Sequence, residues 1–376
     1  PAQARPSPPR AAMSGFINPT VTLASGHTMP MVALGTWKAP PGVTGAAVEA
    51  AIKAGYRNID AANDYNNEPE VGAAIAKCIA EGVVTRDELF VQAKLWNTNH
   101  RPEHVAADLA QSLEDLQLDY LDSYIIHWPQ AAPATGRAPA TRVNGAYPAP
   151  EAEGSMFPVD GDGYFCSDGD SHYTETWRAM EALVDDGRCR SIGLSNFNRA
   201  QVAEVVAMAR VPVSVLQCEC HPYLQQKDLI DFCATAKIAF QAFSPLGSGD
   251  THLGVTASPS GTIPLRDPTV LAVAARTGKD AGQVMLRWNL QRGVCVVAKS
   301  VRPARIASNF AIFDWALAPE DVAAFGAINY GWRHLQWREV SMHPDYPFPD
   351  ELPHKYAVEK APLASSSGTA GAPELA

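Results

Sequence analysis

The sequence has no excess of basic residues, no long apolar run and no paired cysteine motif. Its 376 residues carry a formal net charge of −10. This charge argues against nucleic acid as a partner, because such a surface needs clustered positive charge. No apolar stretch approaches the length of a transmembrane helix, so we expect no membrane partner. The seven cysteines form no CxxC pair, which predicts reduced thiols and favours a cytoplasmic location.

Two further signatures are missing. No G-x-G-x-x-G motif follows the first predicted strand, which counts against a Rossmann dinucleotide fold. The ten histidines form no cluster with ligand spacing, so the sequence predicts no metal site. What is present is a hydrophobic fraction of 46%, enough to bury a large core.

Both ends of the chain have the composition of tails. Residues 1–17 are rich in Pro and Ala and contain no acid, which is typical of a disordered tail or of the remnant of an organelle transit peptide. Residues 351–376 end in a low-complexity stretch that we expect to be disordered. The predicted folded domain therefore spans residues 18–350, and an organelle location stays open as an alternative.

Short apolar runs alternate with helical patterns along this domain. Eight runs read as buried strands: 31–37, 56–63, 89–96, 121–128, 190–197, 213–221, 238–246 and 293–300. Most are continuous rather than alternating, as expected for parallel strands that are buried on both faces. Eight strand–helix units in sequence predict an α/β fold, a closed (β/α)₈ TIM barrel.

One segment, residues 130–170, interrupts this order with a long stretch rich in Pro, Gly and Ala. It follows the fourth predicted strand, on the face where barrel enzymes place their sites. A loop of this length inside a domain is usually functional or disordered. Two alternatives therefore stay open, a lid or wall over the site and a surface insertion without function.

Polar residues stand at the ends of three consecutive predicted strands. Asp60 ends the second, Lys94 lies near the end of the third and His127 ends the fourth, while Tyr65 follows in the second loop. Each alone has a structural explanation, as a cap, a solvated charge or loop packing. Together they bring an acid, a cation, an imidazole and a phenol to one rim, which predicts a catalytic site.

These side chains suit proton donation to a carbonyl oxygen. We expect the Lys94 ammonium to lower the pKa of Tyr65 from its ordinary value near 10. Asp60 would hold Lys94, Tyr65 would act as general acid, and neutral His127 would donate a hydrogen bond to the same oxygen. This chemistry is carbonyl reduction by hydride, and it requires a hydride donor.

The later strand ends offer a place for a nicotinamide cofactor. Ser195 and Asn196 end the fifth strand, Gln217 lies in the sixth and Phe243 ends the seventh, so amides and an aromatic platform meet there. After the eighth strand, Lys299, Ser300, Arg302 and Arg305 precede or begin a helix. Basic side chains at a helix N-terminus favour an anion such as the 2′-phosphate of NADPH.

The motifs as a whole resemble those of the aldo-keto reductases, from about Gly26 to Pro349. They include "GYRNIDAANDYNNEPEVG", "IIHWP", "SIGLSNFN", "ECHPYLQQ", "FSPLGS" and "AKSVRPARIASNF". The resemblance implies an NADPH-dependent barrel enzyme of the aldose or aldehyde reductase type. It also implies an N-terminal β-hairpin that closes the bottom of the barrel and a C-terminal substrate loop.

Carried over residue by residue, the resemblance assigns roles to this chain's own positions. It makes Asp60, Tyr65, Lys94 and His127 a catalytic tetrad, and places Trp37 and Trp128 beside Tyr65 and His127 in the substrate pocket. It assigns cofactor contacts to Ser195, Asn196, Gln217, Phe243, Ser244, Leu246, Ser248, Asp250, Lys299, Ser300, Val301, Arg302, Arg305, Ser308 and Asn309.

Three of these positions depart from the family pattern. Phe243 stands where a nicotinamide-stacking Tyr is usual, so stacking is kept and a hydroxyl is lost. Ser308 replaces a common Glu near the adenine. Arg302 stands where a small residue is common. The 130–170 loop and the C-terminal segment are also this chain's own, so the substrate is not assigned.

The leading hypothesis is therefore NADPH-dependent reduction of aldehydes or aldoses, or of ketones, by a monomer acting on a small molecule. Two alternatives stay open at this point. One is a Schiff-base aldolase that uses Lys94. The other is an NADPH-binding, redox-sensing partner subunit with little turnover.

Overall fold

The polypeptide alternates between short buried strands and helices that cover them. The computed structural model describes residues 18–134, 155–160, 165–248 and 258–351. Within these ranges the chain forms ten strands: β1 Thr20–Thr22, β2 Thr28–Pro30, β3 Val32–Gly35, β4 Asn58–Asp60, β5 Phe90–Leu95, β6 Ser123–Ile126, β7 Ile192–Ser195, β8 Val215–Glu219, β9 Ala239–Phe243 and β10 Cys295–Lys299.

Ten α-helices connect or flank these strands in the same described ranges. They are α1 Thr44–Ala54, α2 Glu68–Ala80, α3 Pro102–Leu116, α4 Tyr173–Asp185, α5 Arg199–Met208, α6 Lys227–Thr235, α7 Pro268–Thr277, α8 Ala281–Gln291, α9 Pro303–Phe310 and α10 Pro319–Ala324. Short 3₁₀ turns punctuate the loops, and Asn63–Tyr65 forms one of them.

Strands β3 to β10 close into a parallel barrel in the order β10-β3-β4-β5-β6-β7-β8-β9. The predicted (β/α)₈ barrel is confirmed, and each of the eight predicted runs contains one of its strands. Strands such as β5 and β8 are buried along their whole length. This burial explains their continuous apolar character, because helices cover the outer face of each strand and side chains in the barrel interior cover its inner face.

Strands β1 and β2 form an antiparallel hairpin outside the barrel. Leu23 and Met29 of this hairpin pack against Phe90, Val215 and Cys295, which begin or lie near the beginning of β5, β8 and β10. The hairpin therefore closes the bottom of the barrel, as expected. The opposite rim, at the carboxyl ends of the strands, is the one where barrel enzymes place their active sites.

The described structure also bears on the cysteines and on membranes. All seven cysteines are free, and six of them are buried, which agrees with the prediction of reduced thiols. None of the helices in the described part of the chain combines the length and apolar character needed to cross a bilayer. The predicted tails 1–17 and 351–376 lie outside these residues, except for Glu351.

Helices α2 and α3 approach each other closely at Gly72. A Cβ at this position would lie 2.5 Å from the backbone oxygen of Asp115 and 2.5 Å from the carbonyl carbon of Leu116. Backbone atoms cannot move aside as a flexible side chain can. The packing of α2 against α3 therefore requires a residue without a side chain at Gly72.

We predict that Gly72→Ala lowers the free energy of unfolding by about 1–3 kcal/mol through overpacking, although Ala favours helix over Gly. Gly326→Ala is the matched control, because its Cβ would meet nothing within 4 Å. Urea unfolding followed by circular dichroism measures both. Equal midpoints for the two variants would refute the packing argument.

Candidate active site

A buried ion pair lies at the carboxyl-terminal rim of the barrel. Lys94 of β5 and Asp60 at the end of β4 are neighbours because the two strands pair in parallel. The Lys94 ammonium lies 2.8 and 2.9 Å from the two Asp60 carboxylate oxygens and donates a third hydrogen bond to the Ala61 carbonyl at 2.9 Å. Its side chain is fully buried. All three ammonium protons are thus engaged, and the charge is fixed in position.

Two glutamines bind Asp60 in the barrel interior, and a third glutamine, Gln241, links them. Gln92 and Gln217 donate to Asp60 Oδ1 at 2.7 and 2.8 Å, and both also donate to Oε1 of Gln241. Gln92 and Lys94 lie two residues apart on β5, so their side chains share the inward face. Gln92 and Gln217 thus supply hydrogen bonds that the buried Asp60 carboxylate needs.

Tyr65 ends the 3₁₀ turn that follows β4, beside the ion pair. The Lys94 ammonium lies 4.9 Å from the centre of the phenol ring. Burial, followed by the charges of Asp60, Asp64 and Glu68, raises the pKa of Tyr65 well above its ordinary value. The expected lowering by Lys94 is therefore wrong, because burial disfavours the charged phenolate and the neighbouring carboxylates add to this effect. Tyr65 keeps its proton at neutral pH.

His127 follows β6 and faces the same space as Tyr65. The Tyr65 and Trp96 rings contact the imidazole edge-on, with centroids 5.7 and 5.1 Å away. Its Nδ1 lies 3.1 Å from Oδ1 of Asp64, the residue before Tyr65. The structure therefore brings together Asp60, Tyr65, Lys94 and His127, the four residues that the sequence predicts as a catalytic group.

Aromatic side chains surround this group. Trp96 stacks on Trp337 at 5.6 Å, and Trp128 contacts Trp337 edge-on at 5.2 Å. Met156 and Phe165, from the described parts of the segment 130–170, are buried in the same cluster. These residues form a wall, whereas residues 135–154 and 161–164 of the predicted lid lie outside the described ranges.

The opposite side of the phenol meets Trp37, whose ring centre lies 6.4 Å from that of Tyr65. Trp37 is partly exposed, whereas Trp128 is buried. The two predicted pocket tryptophans therefore approach the tetrad from different loops.

The predicted nicotinamide side of the site is formed by the ends of β7, β8 and β9. Ser195 and Asn196 are adjacent, and the Asn196 amide donates to the His127 carbonyl at 2.9 Å. Asn196 Oδ1 is buried without a hydrogen-bond partner among the described residues. Such an acceptor fits the NH₂ group of a carboxamide. Phe243 is partly exposed at the end of β9 and can stack on a ring.

The predicted phosphate side lies after β10. Lys299, Arg302 and Arg305 are exposed at the end of β10 and the start of α9, while Ser300 and Asn309 are buried. Three cations at a helix N-terminus fit an anionic phosphate. The remaining predicted contacts are Ser244, Leu246, Ser248, Val301 and Ser308. Ser244 and Ser248 have positive φ values of 47° and 39° in a tight loop. Asp250 lies outside the described residues.

Sequence reasoning missed several polar residues next to the predicted group. Asp64 is one, and Gln92 and Gln241 are two more. Asp108 of α3 is another. It accepts hydrogen bonds from the Asn63 amide and from the Tyr124 hydroxyl, the latter at 2.9 Å. Gln92 could have been found, because a polar residue two positions before Lys94 on the same strand faces the same side of the sheet. No local sequence pattern marks Asp108.

Comparisons with known proteins agree on one family. A family model described as "Aldo/keto reductase family" matches residues 32–330. The human protein "Aldo-keto reductase family 1 member A1" is 42% identical over 340 residues, covering 88% of this chain and 98% of that protein. The protein of the same name from Pongo abelii is 43% identical with the same coverage.

Two solved structures are also similar. The aldose reductase of Schistosoma japonicum has a TM-score of 0.77 and 34% identity, covering 89% of this chain and 100% of that one. An aldo-keto reductase of Bombyx mori, in complex with NADP, has a TM-score of 0.75 and 35% identity, with 90% and 100% covered.

A stability prediction follows from Asp108. Burial raises its pKa to about 7 in the folded chain, whereas an unfolded chain releases this proton near pH 4. The stabilisation from proton binding is full below about pH 4 and is lost as the pH rises through about 7. Asp108→Asn should remove this loss. The melting temperature of Asp108→Asn, relative to that of the unsubstituted protein, should therefore be higher at about pH 8 than at about pH 5.

Calorimetry at the two pH values measures this gain, which corresponds to about 2–3 kcal/mol because about two pKa units of the difference fall above pH 5. Asp186→Asn is the control, because this carboxylate lies on the surface with 57% of its side chain exposed. Parallel melting curves for Asp108→Asn and the unsubstituted protein at both pH values would contradict the assignment.

Proposed function

The chain belongs to the aldo/keto reductase family, and on this premise we propose that it reduces aldehydes, including open-chain aldoses, or ketones to alcohols, with Tyr65 as the proton donor. It is an NADP-dependent oxidoreductase. The observation that carries the proposed mechanism is the convergence of Tyr65, His127 and the buried Lys94–Asp60 pair at one rim of the barrel. The phenol and the imidazole can then approach the same carbonyl oxygen.

The division of labour follows from the contacts. When bound, NADPH supplies the hydride to the carbonyl carbon. Tyr65 gives its proton to the oxygen as negative charge develops there, and the Lys94 ammonium stabilises the phenolate that is left. His127 donates a hydrogen bond to the same oxygen. Trp37, Trp96 and Trp128 exclude water and present apolar surface to the rest of the substrate.

The cofactor would be held at its two ends by different chemistry. Ser195, Asn196 and Gln217 offer polar groups for the carboxamide, and Phe243 offers a stacking surface. Lys299 and Arg305 offer charge for the 2′-phosphate. The loop containing Ser244, Leu246 and Ser248 lies between the two ends in sequence.

The alternative of a Schiff-base aldolase fits the geometry less well. Such chemistry needs a Lys94 nitrogen with a free lone pair. Its three hydrogen bonds to Asp60 and Ala61 instead favour the charged ammonium. The redox-sensing alternative differs from a reductase only in turnover, which the following experiment measures.

We predict that Tyr65→Phe lowers kcat for aldehyde reduction by about 10²–10⁴-fold, because the proton donor is lost. The dissociation constant for NADPH, measured by fluorescence quenching, should stay unchanged. Tyr120→Phe is the control, since this hydroxyl contacts exposed Asp87. NADPH consumption is followed with aromatic, aliphatic and sugar aldehydes. Turnover by Tyr65→Phe at the unsubstituted rate would exclude the mechanism, and tight NADPH binding without turnover by any form would favour the sensing role.

A second prediction concerns cofactor choice. Arg305→Gln should weaken NADPH binding by at least about tenfold, since a hydrogen bond to a charged group contributes about 1.5–3 kcal/mol. Binding of NADH, which has no 2′-phosphate, should stay the same. Arg178→Gln, at an exposed position on α4, controls for loss of one positive charge. An equal loss of affinity for both cofactors would place Arg305 away from the 2′-phosphate.

A further inference from the structure

Asp108 is a buried carboxyl of α3 that the mechanism above leaves unused. The residue is 1% exposed, and both of its side-chain oxygens accept hydrogen bonds. Oδ2 accepts from the Tyr124 hydroxyl at 2.9 Å and from the Trp96 backbone N–H at 3.4 Å. Oδ1 accepts from the side-chain amide of Asn63. The three donors lie on β6, directly after β5 and in the turn after β4, so one carboxyl joins three neighbouring strands of the barrel.

A carboxyl is a costly side chain at this position. Burial raises the pKa of Asp108 to about 7, even though its hydrogen bonds act to lower it. Val105 and Leu109, which precede and follow it on the buried face of α3, are apolar. Replacing a buried hydrogen-bonded set by apolar groups of the same shape costs little free energy of unfolding. Stability alone therefore does not account for this carboxyl, whereas a role at the rim of the barrel would.

The two oxygens of Asp108 contact different parts of the structure. Oδ2 binds Tyr124 and Trp96, and it is therefore held by β5 and β6, two strands that are buried along their whole length. Oδ1 binds Asn63, which lies outside these strands. The barrel thus fixes the carboxyl, and the carboxyl binds the turn that follows β4.

This turn carries the proposed proton donor. Asn63 and Tyr65 are the first and last residues of one 3₁₀ turn, and no side chain caps its beginning at Ala62. Two backbone hydrogen bonds close the turn, from Tyr65 to Ala62 at 3.2 Å and from Asn66 to Asn63 at 3.1 Å. Hydrogen bonds in such turns have poorer geometry than those of an α-helix. The turn therefore needs contacts from outside, and Asp108 supplies one at its first residue.

The same carboxyl is connected to His127. This histidine follows β6, the strand that contains Tyr124, and its ring centre lies 5.7 Å from that of Tyr65. Asp108 accepts from Tyr124 on the strand of His127 and from Asn63 on the turn of Tyr65. Two groups that serve one substrate oxygen must be held to within about 0.5 Å of the productive geometry. The carboxyl links the two elements on which this geometry depends.

We propose that Asp108 is a positioning residue that holds the Tyr65 phenol at its working distance from His127, by binding Asn63 with one oxygen and β5 and β6 with the other. The idea rests on the proposed reductase function. Asp108 acts as a hydrogen-bond acceptor on α3, behind the turn. Its loss should misplace the proton donor without removing a reacting group, and a misplacement of about 1 Å can cost about 10²-fold in rate.

The first test is a comparison of Asp108→Leu with Asp108→Asn in aldehyde reduction. Leu is similar in size but accepts no hydrogen bond, so kcat should fall by about 10–100-fold, while KM stays within about threefold because the interaction affects the chemical step. Asp108→Asn should keep kcat within about fivefold, because an amide keeps one acceptor and can pair with the amide of Asn63.

Asn63→Ala removes the donor on the turn and leaves the bonds of Asp108 to Tyr124 and Trp96 in place. It should lower kcat as far as Asp108→Leu does, and the double variant should show no further loss, because the two residues act through one bond. Ser112→Ala is the matched control. Ser112 is buried one turn further along α3 and donates to Glu68 at 3.1 Å, so its loss should lower the melting temperature but keep kcat within about twofold.

Active sites are counted by NADPH titration, so that kcat refers to folded enzyme alone. Three outcomes decide against the proposal. One is an unchanged kcat in Asp108→Leu, and another is an equal loss in Asp108→Asn, which would assign the effect to the charge. The third is an equal loss in Ser112→Ala, which would make it a general effect of buried polar groups in α3.

The second test needs no turnover. Hydrogen exchange followed by mass spectrometry measures the backbone amides of residues 61–67, whose sequence is unchanged in Asp108→Leu. We expect the Tyr65 and Asn66 amides to exchange at least about tenfold faster in Asp108→Leu than in Ser112→Ala. Equal exchange would overturn the proposal even if the enzyme reduces aldehydes. The expected difference in a protein that reduces no carbonyl compound would leave the contact established and reject the proposed function instead.

Discussion

The ion pair between Lys94 and Asp60 is the constraint from which the site takes its geometry. Burying two charges costs several kcal/mol for each ion, and only a complete set of hydrogen bonds offsets it. Here the Lys94 ammonium donates three hydrogen bonds, and Asp60 also accepts hydrogen bonds from Gln92 and Gln217. Removing one partner of such a pair typically costs about 3–5 kcal/mol, so the pair stabilises the barrel mouth only as a whole. Its position then sets the field in which Tyr65 works.

Burial, followed by the charges of Asp60, Asp64 and Glu68, raises the pKa of Tyr65 well above its ordinary value. The phenol therefore keeps its proton at neutral pH. His127 lies in the same field, against Asp64. The turn that carries Asp64 and Tyr65 lies against α3 through Asn63 and Asp108. A carboxyl of α3 thus supports the catalytic turn from below.

The C-terminal segment completes the pocket from the other side. Glu219 at the end of β8 accepts from the backbone amides of His334 and Leu335. Arg333, beside them, is buried and pairs with Glu351 at 2.7 Å. These contacts lead the chain across the barrel mouth, so that Trp337 reaches Trp96 and Trp128. The aromatic cluster beside Tyr65 and His127 is therefore completed by a segment that contributes no strand to the barrel.

The sequence by itself determined the barrel and the residues at its rim. Continuous apolar runs predicted buried parallel strands, and parallel strands bring their carboxyl ends, with Asp60, Lys94 and His127, to one edge. Periodicity and strand direction are local properties of the chain, which is why they could be predicted. Only the tertiary structure decided that Asp64 meets His127, that Asp108 lies beneath the turn, and that the pKa of Tyr65 rises instead of falling. Distances between residues remote in sequence, and the loss of water around them, arise when the barrel closes and its loops pack, and no local pattern encodes them.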